Sequence, residues 1–193
     1  MCKLAFVFSS MNSGKSLSLL TKNFMLKQKG FKTLLMKPEI DDRTSTISSR
    51  LGIEERCVII GKGVTPSACV FRAFQSDEPK PDFILVDEAQ FLTKEQVWDL
   101  AMLVDYWEID VICYGLKLNW QGEFFEGSHE LMKIADRLEQ AETFCKQNQG
   151  APAMFHVKLG GSDEAVETGY EDLYDTVSRK VWKQWFDKRK TKE

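Results

Sequence analysis

The chain alternates short apolar runs with longer segments in which apolar residues recur every three or four positions. Leu4-Ala5-Phe6-Val7-Phe8 is the first run and predicts a buried strand. Leu17, Leu20 and Phe24 follow at helical spacing, and Gly30 closes that helix. Lys32 to Met36 and Val58-Ile59-Ile60 predict two more short strands, with a Ser/Thr-rich segment, Thr44 to Arg50, that reads as a loop between them. Pro66 to Phe74 reads as a brief helix. Phe83-Ile84-Leu85-Val86 is apolar throughout, as expected of a strand covered on both faces of a parallel sheet. Thr93 to Trp107 predicts a helix capped by Thr93 with Glu95-Gln96 behind it, and Ile109 to Gly115 predicts another strand. Strands alternating with helices imply βαβ units, and so an α/β domain built on a parallel sheet.

From about Cys145 the texture changes. Gln147 to Pro152 is a polar turn region, Ala153 to Leu159 predicts a strand, and Gly160-Gly161-Ser162-Asp163 suggests a hairpin tip leading into Glu164 to Thr168. From Glu171 onward the pattern is helical, with Val181, Trp182, Trp185 and Phe186 on one side and Lys/Arg on the other. The expected organisation is a main α/β domain over residues 1–142 and a small appended unit over 143–193. A chain of 193 residues suits that arrangement. The basic, aromatic tail fits burial against its own domain better than nucleic-acid binding. With a net charge of −3 there is no global basic surface for a nucleic-acid duplex. The amino-terminal apolar run is too short for a secretory signal, and no stretch approaches membrane-spanning length. Five scattered cysteines without a C-x-x-C pair suggest reduced thiols in a cytoplasmic protein, with Cys113 as core.

Candidate chemistry lies where the first strand meets the first helix. Phe8 to Ser16 reads F-S-S-M-N-S-G-K-S, a phosphate-binding P-loop in which Ser9 takes the place of the first Gly of G-x-x-x-x-G-K-[ST]. Small residues let backbone N–H groups close around a polyphosphate at a helix N-terminus. Ser9, Ser10, Met11, Asn12, Ser13 and Gly14 are therefore candidates for the ATP cradle, with Lys15 reaching the outer phosphates and Ser16 ligating Mg²⁺. Asp87, at the end of the Phe83–Val86 run, is the second candidate Mg²⁺ partner, and Glu88 beside it suits a general base. An ordinary strand–turn–helix junction and a solvated acidic pair capping the next helix are the competing readings.

Four motifs together go beyond a generic ATPase: S-x-M-N-S-G-K-S, I-D-D-R, V-D-E-A-Q-F-L and Y-G-L-x-x-x-W-x-G-E-x-F-x-G-S. They resemble the type II thymidine kinase family, and the likeness runs over essentially the whole chain, including V-E-T-G-Y-E-D-L-Y-D-T-V-S-R. The resemblance implies a RecA-like P-loop sheet with helices on both faces and a C-terminal lasso unit. It implies transfer of the γ-phosphoryl of Mg·ATP to the 5′-hydroxyl of thymidine, with Glu88 as base, Arg43 near the moving phosphoryl and Gln90 among the ATP-contacting residues. Thymidine would meet Met11, Phe91, Leu116, Trp120, Phe125 and Tyr174, under a lasso loop spanning roughly Leu159 to Tyr170. Trp120 stands where the family generally has Phe. The resemblance also implies a homotetramer.

One departure concerns zinc, which relatives bind with two pairs of ligands. Here Cys145 is alone in the first region, Ser178 and Val181 occupy the positions of the second pair, and His156 is the only other nearby candidate. No zinc site is expected, since a structural site needs four N/S ligands. Trp182, Trp185, Phe186 and Phe155 are expected to anchor the unit instead. Rival functions are a kinase of broadened deoxynucleoside specificity, a catalytically inactive P-loop regulatory module, and a motor or recombinase ATPase of the same fold.

Overall fold

The computed structural model describes residues 3–39, 44–74, 79–148, 150–160 and 174–190. Six parallel strands form the central sheet: β1 (Leu4–Ser9), β2 (Thr33–Pro38), β5 (Val58–Ile60), β6 (Phe83–Val86), β7 (Asp110–Leu116) and β8 (Arg137–Gln140), in the order β5-β2-β6-β7-β1-β8. Period-two alternation assigns each strand residue to a face. Leu4, Phe6, Phe8, Ile84, Val86, Val111 and Cys113 share one core with α2 (Pro66–Ala73), α3 (Lys94–Trp107) and α4 (Glu126–Ile134). Val7, Leu35, Leu85 and Tyr114 turn the other way, onto Leu19, Leu20 and Leu26 of α1 (Lys15–Gln28). This two-sided burial explains why the strand runs are apolar throughout. Thr93 and Gln96 make the reciprocal capping bonds at the start of α3.

Several elements differ from the sequence reading. The expected loop Thr44 to Arg50 contains β3 (Thr46–Ser48), which pairs antiparallel with β4 (Glu54–Arg56). Ile47, 2% exposed, is the sole apolar anchor of β3, too little to register as a strand pattern. The helix expected from Glu171 starts later. Tyr174–Val177 is a strand, β10, antiparallel to β9 (Phe155–Lys158), and the helix, α5, spans Arg179–Lys190. Aromatic and β-branched side chains at Tyr174, Thr176 and Val177 favour the pleat. Ser178 then caps the helix, its hydroxyl accepting from the Val181 N–H. Neither α4 nor the exposed edge strand β8 had an apolar pattern strong enough to be predicted. The hairpin tip, the segment after it and most of the lasso loop fall on residues 161–173, outside the described residues.

A third apolar cluster joins Cys145, Ala153, Val157 and Val177 to Phe155, Val181, Trp182 and Trp185. Phe155, Trp182 and Phe186 stack in series, with ring centroids 4.9 and 5.0 Å apart. The Trp182 indole N–H donates to the Trp120 carbonyl at 2.9 Å, and the Trp120 ring meets Trp185 edge-on. Rings from α5 thus bind β9 and the loop after β7 into one brace.

Gly127, in the first turn of α4, sits against the segment that follows β6. A Cβ there would lie 2.4 Å from the Ala89 carbonyl oxygen and 2.8 Å from that of Leu92. Backbone cannot yield as a flexible side chain can. Gly127→Ala is expected to lose about 1–3 kcal/mol of stability, read as a lower urea midpoint at unchanged slope.

Candidate active site

The order of strands determines how the two acidic residues meet the P-loop. β7 lies between β1 and β6, so the carboxyl ends of all three strands converge on one edge, where open α/β sheets bind ligands. The chain leaves β1 at Ser9, turns through Ser10 to Gly14 and enters α1 at Lys15. Two residues of this turn are left-handed: Gly14 at φ 76° and Asn12 at φ 60°. Gly14 takes that conformation without penalty, whereas Asn12 is one of the few non-glycine types that tolerates it. The Arg50 guanidinium, from the turn joining β3 to β4, donates to the Asn12 side-chain oxygen at 2.6 Å and holds the tip. Inside the turn, the Lys15 ammonium donates to the Ser10 carbonyl at 2.8 Å, and the Ser9 and Ser13 hydroxyls pair.

The contact between the halves of the site is direct. The Ser16 hydroxyl donates to Oδ2 of Asp87 at 3.0 Å. Asp87 is 5% exposed, and its Oδ1 accepts from the Glu88 N–H. Glu88 sits in the left-handed region at φ 52°, an unusual conformation for this residue type and one that turns the chain sharply off the strand. Its carboxylate accepts from the Gln90 side-chain N–H, while Oε1 of the same Gln90 side chain accepts from the Leu116 N–H at 3.0 Å. Gln90, expected among the ATP-contacting residues, is 2% exposed and ties Glu88 to the end of β7. No sequence signal separates this role from ligand contact.

The aromatic candidates divide into two groups. Phe91 and Phe125 meet edge-on with centroids 5.7 Å apart, and Leu116 lies close by, its carbonyl accepting from Ser128. Trp120 is 5% exposed and belongs to the brace, with the Arg189 guanidinium 4.9 Å from its ring centroid and Lys158 5.8 Å away. The Tyr174 ring lies beside the same Lys158. Arg43 falls outside the described residues. Cys145 is buried, which raises its thiol pKa, but hydrogen bonds from Ser178, Asn148 and Gln147 outweigh burial and lower it overall. Among the described residues no three His, Cys, Asp or Glu side chains cluster as a metal site. None of their helices is long and apolar enough to cross a membrane.

Burial, then the charge of Glu88, push the Asp87 pKa up to about 6, against opposing hydrogen bonds from Ser16 and the Glu88 N–H and the charge of Lys15. The folded value lies above the unfolded one. The stability this group lends is therefore complete below about pH 4 and lost as pH rises through about 6. Near neutral pH the ligand-free protein carries a strained buried carboxylate. Asp87→Asn is expected to raise stability by about 2–3 kcal/mol near pH 8, with the gain vanishing toward pH 4. Urea unfolding at both pH values measures it.

The family model described as "Thymidine kinase" matches residues 2–182. Thymidine kinase from Shewanella oneidensis is 38% identical over 193 residues, covering 96% of this chain and 98% of that protein. Thymidine kinase from Photobacterium profundum is 35% identical over 190 residues, covering 95% and 98%. The Yersinia pestis thymidine kinase is 36% identical, covering 95% and 96%. A P-loop joined to a paired acid, with similarity over nearly the full length, leads to one assignment: the chain belongs to the thymidine kinase family.

Proposed function

We propose that this chain is an ATP-dependent thymidine kinase in which Glu88 takes the proton of the thymidine 5′-hydroxyl. As the proton leaves, the alkoxide oxygen bonds to the γ-phosphorus of ATP and the bond to the β,γ-bridging oxygen breaks, giving thymidine monophosphate and ADP. The Ser16–Asp87 contact at 3.0 Å carries this reading, because it brings the P-loop helix and the acidic strand end together. The amides of the Ser9 to Gly14 turn, apart from the Met11 N–H that His156 accepts, form the cradle, and Lys15 compensates charge on the outer phosphates. Lys15 already spans the loop to the Ser10 carbonyl, so its ammonium is directed into the turn.

The Ser16 hydroxyl and the Asp87 carboxylate are hard oxygen donors on adjoining elements, which fits Mg²⁺. Held by Ser16 and Asp87, such an ion would supply positive charge to offset that of the phosphates and of the buried Asp87 carboxylate. Gln90 orients Glu88 so that the base holds one direction. Met11, Phe91, Leu116 and Phe125 offer the apolar slot for the base, with Tyr174 at the edge of the covering strands. Trp120, enclosed by Trp185 and Arg189, belongs instead to the brace that seats α5. Arg43 is assigned to the moving phosphoryl by family pattern alone. Cytoplasmic location and assembly as a homotetramer complete the reading.

A phosphate-transfer assay across the deoxynucleosides tests it. Thymidine is expected to be the preferred acceptor. Glu88→Gln should retain ATP affinity while kcat falls by about two orders of magnitude or more. Turnover of that variant near the wild-type rate would remove Glu88 from the role of base, and ATP binding without any thymidine monophosphate would favour a regulatory module.

A further inference from the structure

The P-loop is tied to the β9–β10 pair through a single residue. Met11 donates its N–H to Nε2 of His156 at 2.8 Å, and its carbonyl accepts the Thr176 hydroxyl at 3.1 Å. His156 and Thr176 stand opposite each other in the register of the two strands. Both main-chain polar groups of Met11 are thus taken up by the side chains of one cross-strand pair. Next to it, the Ser10 hydroxyl donates to the Ala153 carbonyl at 2.9 Å.

His156 is 2% exposed, and its ring also hydrogen-bonds the Leu118 carbonyl, in the loop after β7. Nε2 must carry a lone pair to receive the Met11 N–H, so Nδ1 carries the proton given to Leu118. Only the neutral ring fits both partners. Burial foremost, and then the Lys15 ammonium, push its pKa down to about 4, so the fit persists at neutral pH. Phosphoryl transfer itself makes no use of this imidazole.

We propose that His156 is a positioning residue which, with Thr176, latches Met11 so that thymidine binding under β9–β10 and ATP binding in the P-loop are coupled. The proposal rests on the thymidine kinase reading. Its physical basis is that turning Met11 away would leave the buried His156 acceptor and the half-buried Thr176 hydroxyl unpaired. P-loop shapes that do so are disfavoured while the strands are in place. By linkage, filling the P-loop then favours the same placement of the strands.

Calorimetric titration of a Mg²⁺-loaded non-hydrolysable ATP analogue, with and without saturating thymidine, gives the coupling ratio directly. Thymidine should tighten the analogue about fivefold or more in the wild type. In His156→Leu the ratio should fall close to one. His156→Gln, whose amide offers one acceptor and one donor, should recover most of it, a rescue that mere space-filling by Leu would not need. Thr176→Val removes the second arm and should lower the ratio too, which decides the matter if His156→Leu does not fold. A wild-type ratio near one, or a wild-type ratio retained in both His156→Leu and Thr176→Val, would overturn the latch while leaving the kinase standing. Failure of the wild type to bind thymidine at all would remove the kinase reading, and the latch with it.

Discussion

The bond from the Ser16 hydroxyl to the Asp87 carboxylate is the constraint on which the site depends. It joins the start of α1, the helix that follows β1, to the end of β6, a strand separated from β1 by β7. Neither partner is free to choose its place. Ser16 is set by the start of α1, whose Leu19 and Leu20 are buried under one sheet face, and Asp87 by β6, whose Ile84 and Val86 are buried under the other. The two cores therefore position the polar contact from opposite sides. Because Asp87 is buried beside Glu88, its ionised form is poorly served by these surroundings.

Around that contact, the P-loop is held by groups from several distant segments. Arg50 reaches its tip from the β3–β4 turn, Lys15 folds back on the Ser10 carbonyl, and Ala153, His156 and Thr176 hold Ser10 and Met11 from the far end of the chain. On the acidic side, Gln90 spans from Glu88 to Leu116 and so ties Glu88 to β7. A Cβ on Gly115 would lie 2.8 Å from the Gln90 side-chain oxygen, so the strand keeps room for that bridge by having no side chain there. Left-handed backbone at Asn12 and Glu88 places two of the less comfortable conformations in the chain at the site, where convergent hydrogen bonds hold them.

The parts of this architecture visible in the sequence were those with strong apolar periodicity or a motif of fixed spacing. Strands buried on both faces appear as Phe83-Ile84-Leu85-Val86, and the capping of α3 is written at Thr93 and Gln96. Elements with one apolar anchor or an exposed edge were not visible: β3 leans on Ile47 alone, and β8 is largely solvent-facing. Strand β10 was read as helix because the amphipathic spacing of α5 extends backwards through Tyr174, and only pairing with Phe155–Lys158 settles the matter. Bridging roles were hidden for a different reason. Gln90 and His156 gain their meaning from partners 26 and 145 positions away, and no local pattern encodes such a meeting.

The ring stack of Phe155, Trp182 and Phe186 has a thermal signature of its own. Apolar burial draws its strength near room temperature from water released, and that driving force fades on cooling. A helix anchored in this way is held less firmly in the cold than one fixed by strong directional bonds. The seating of α5 on β9 and on the loop after β7 is thereby linked to temperature.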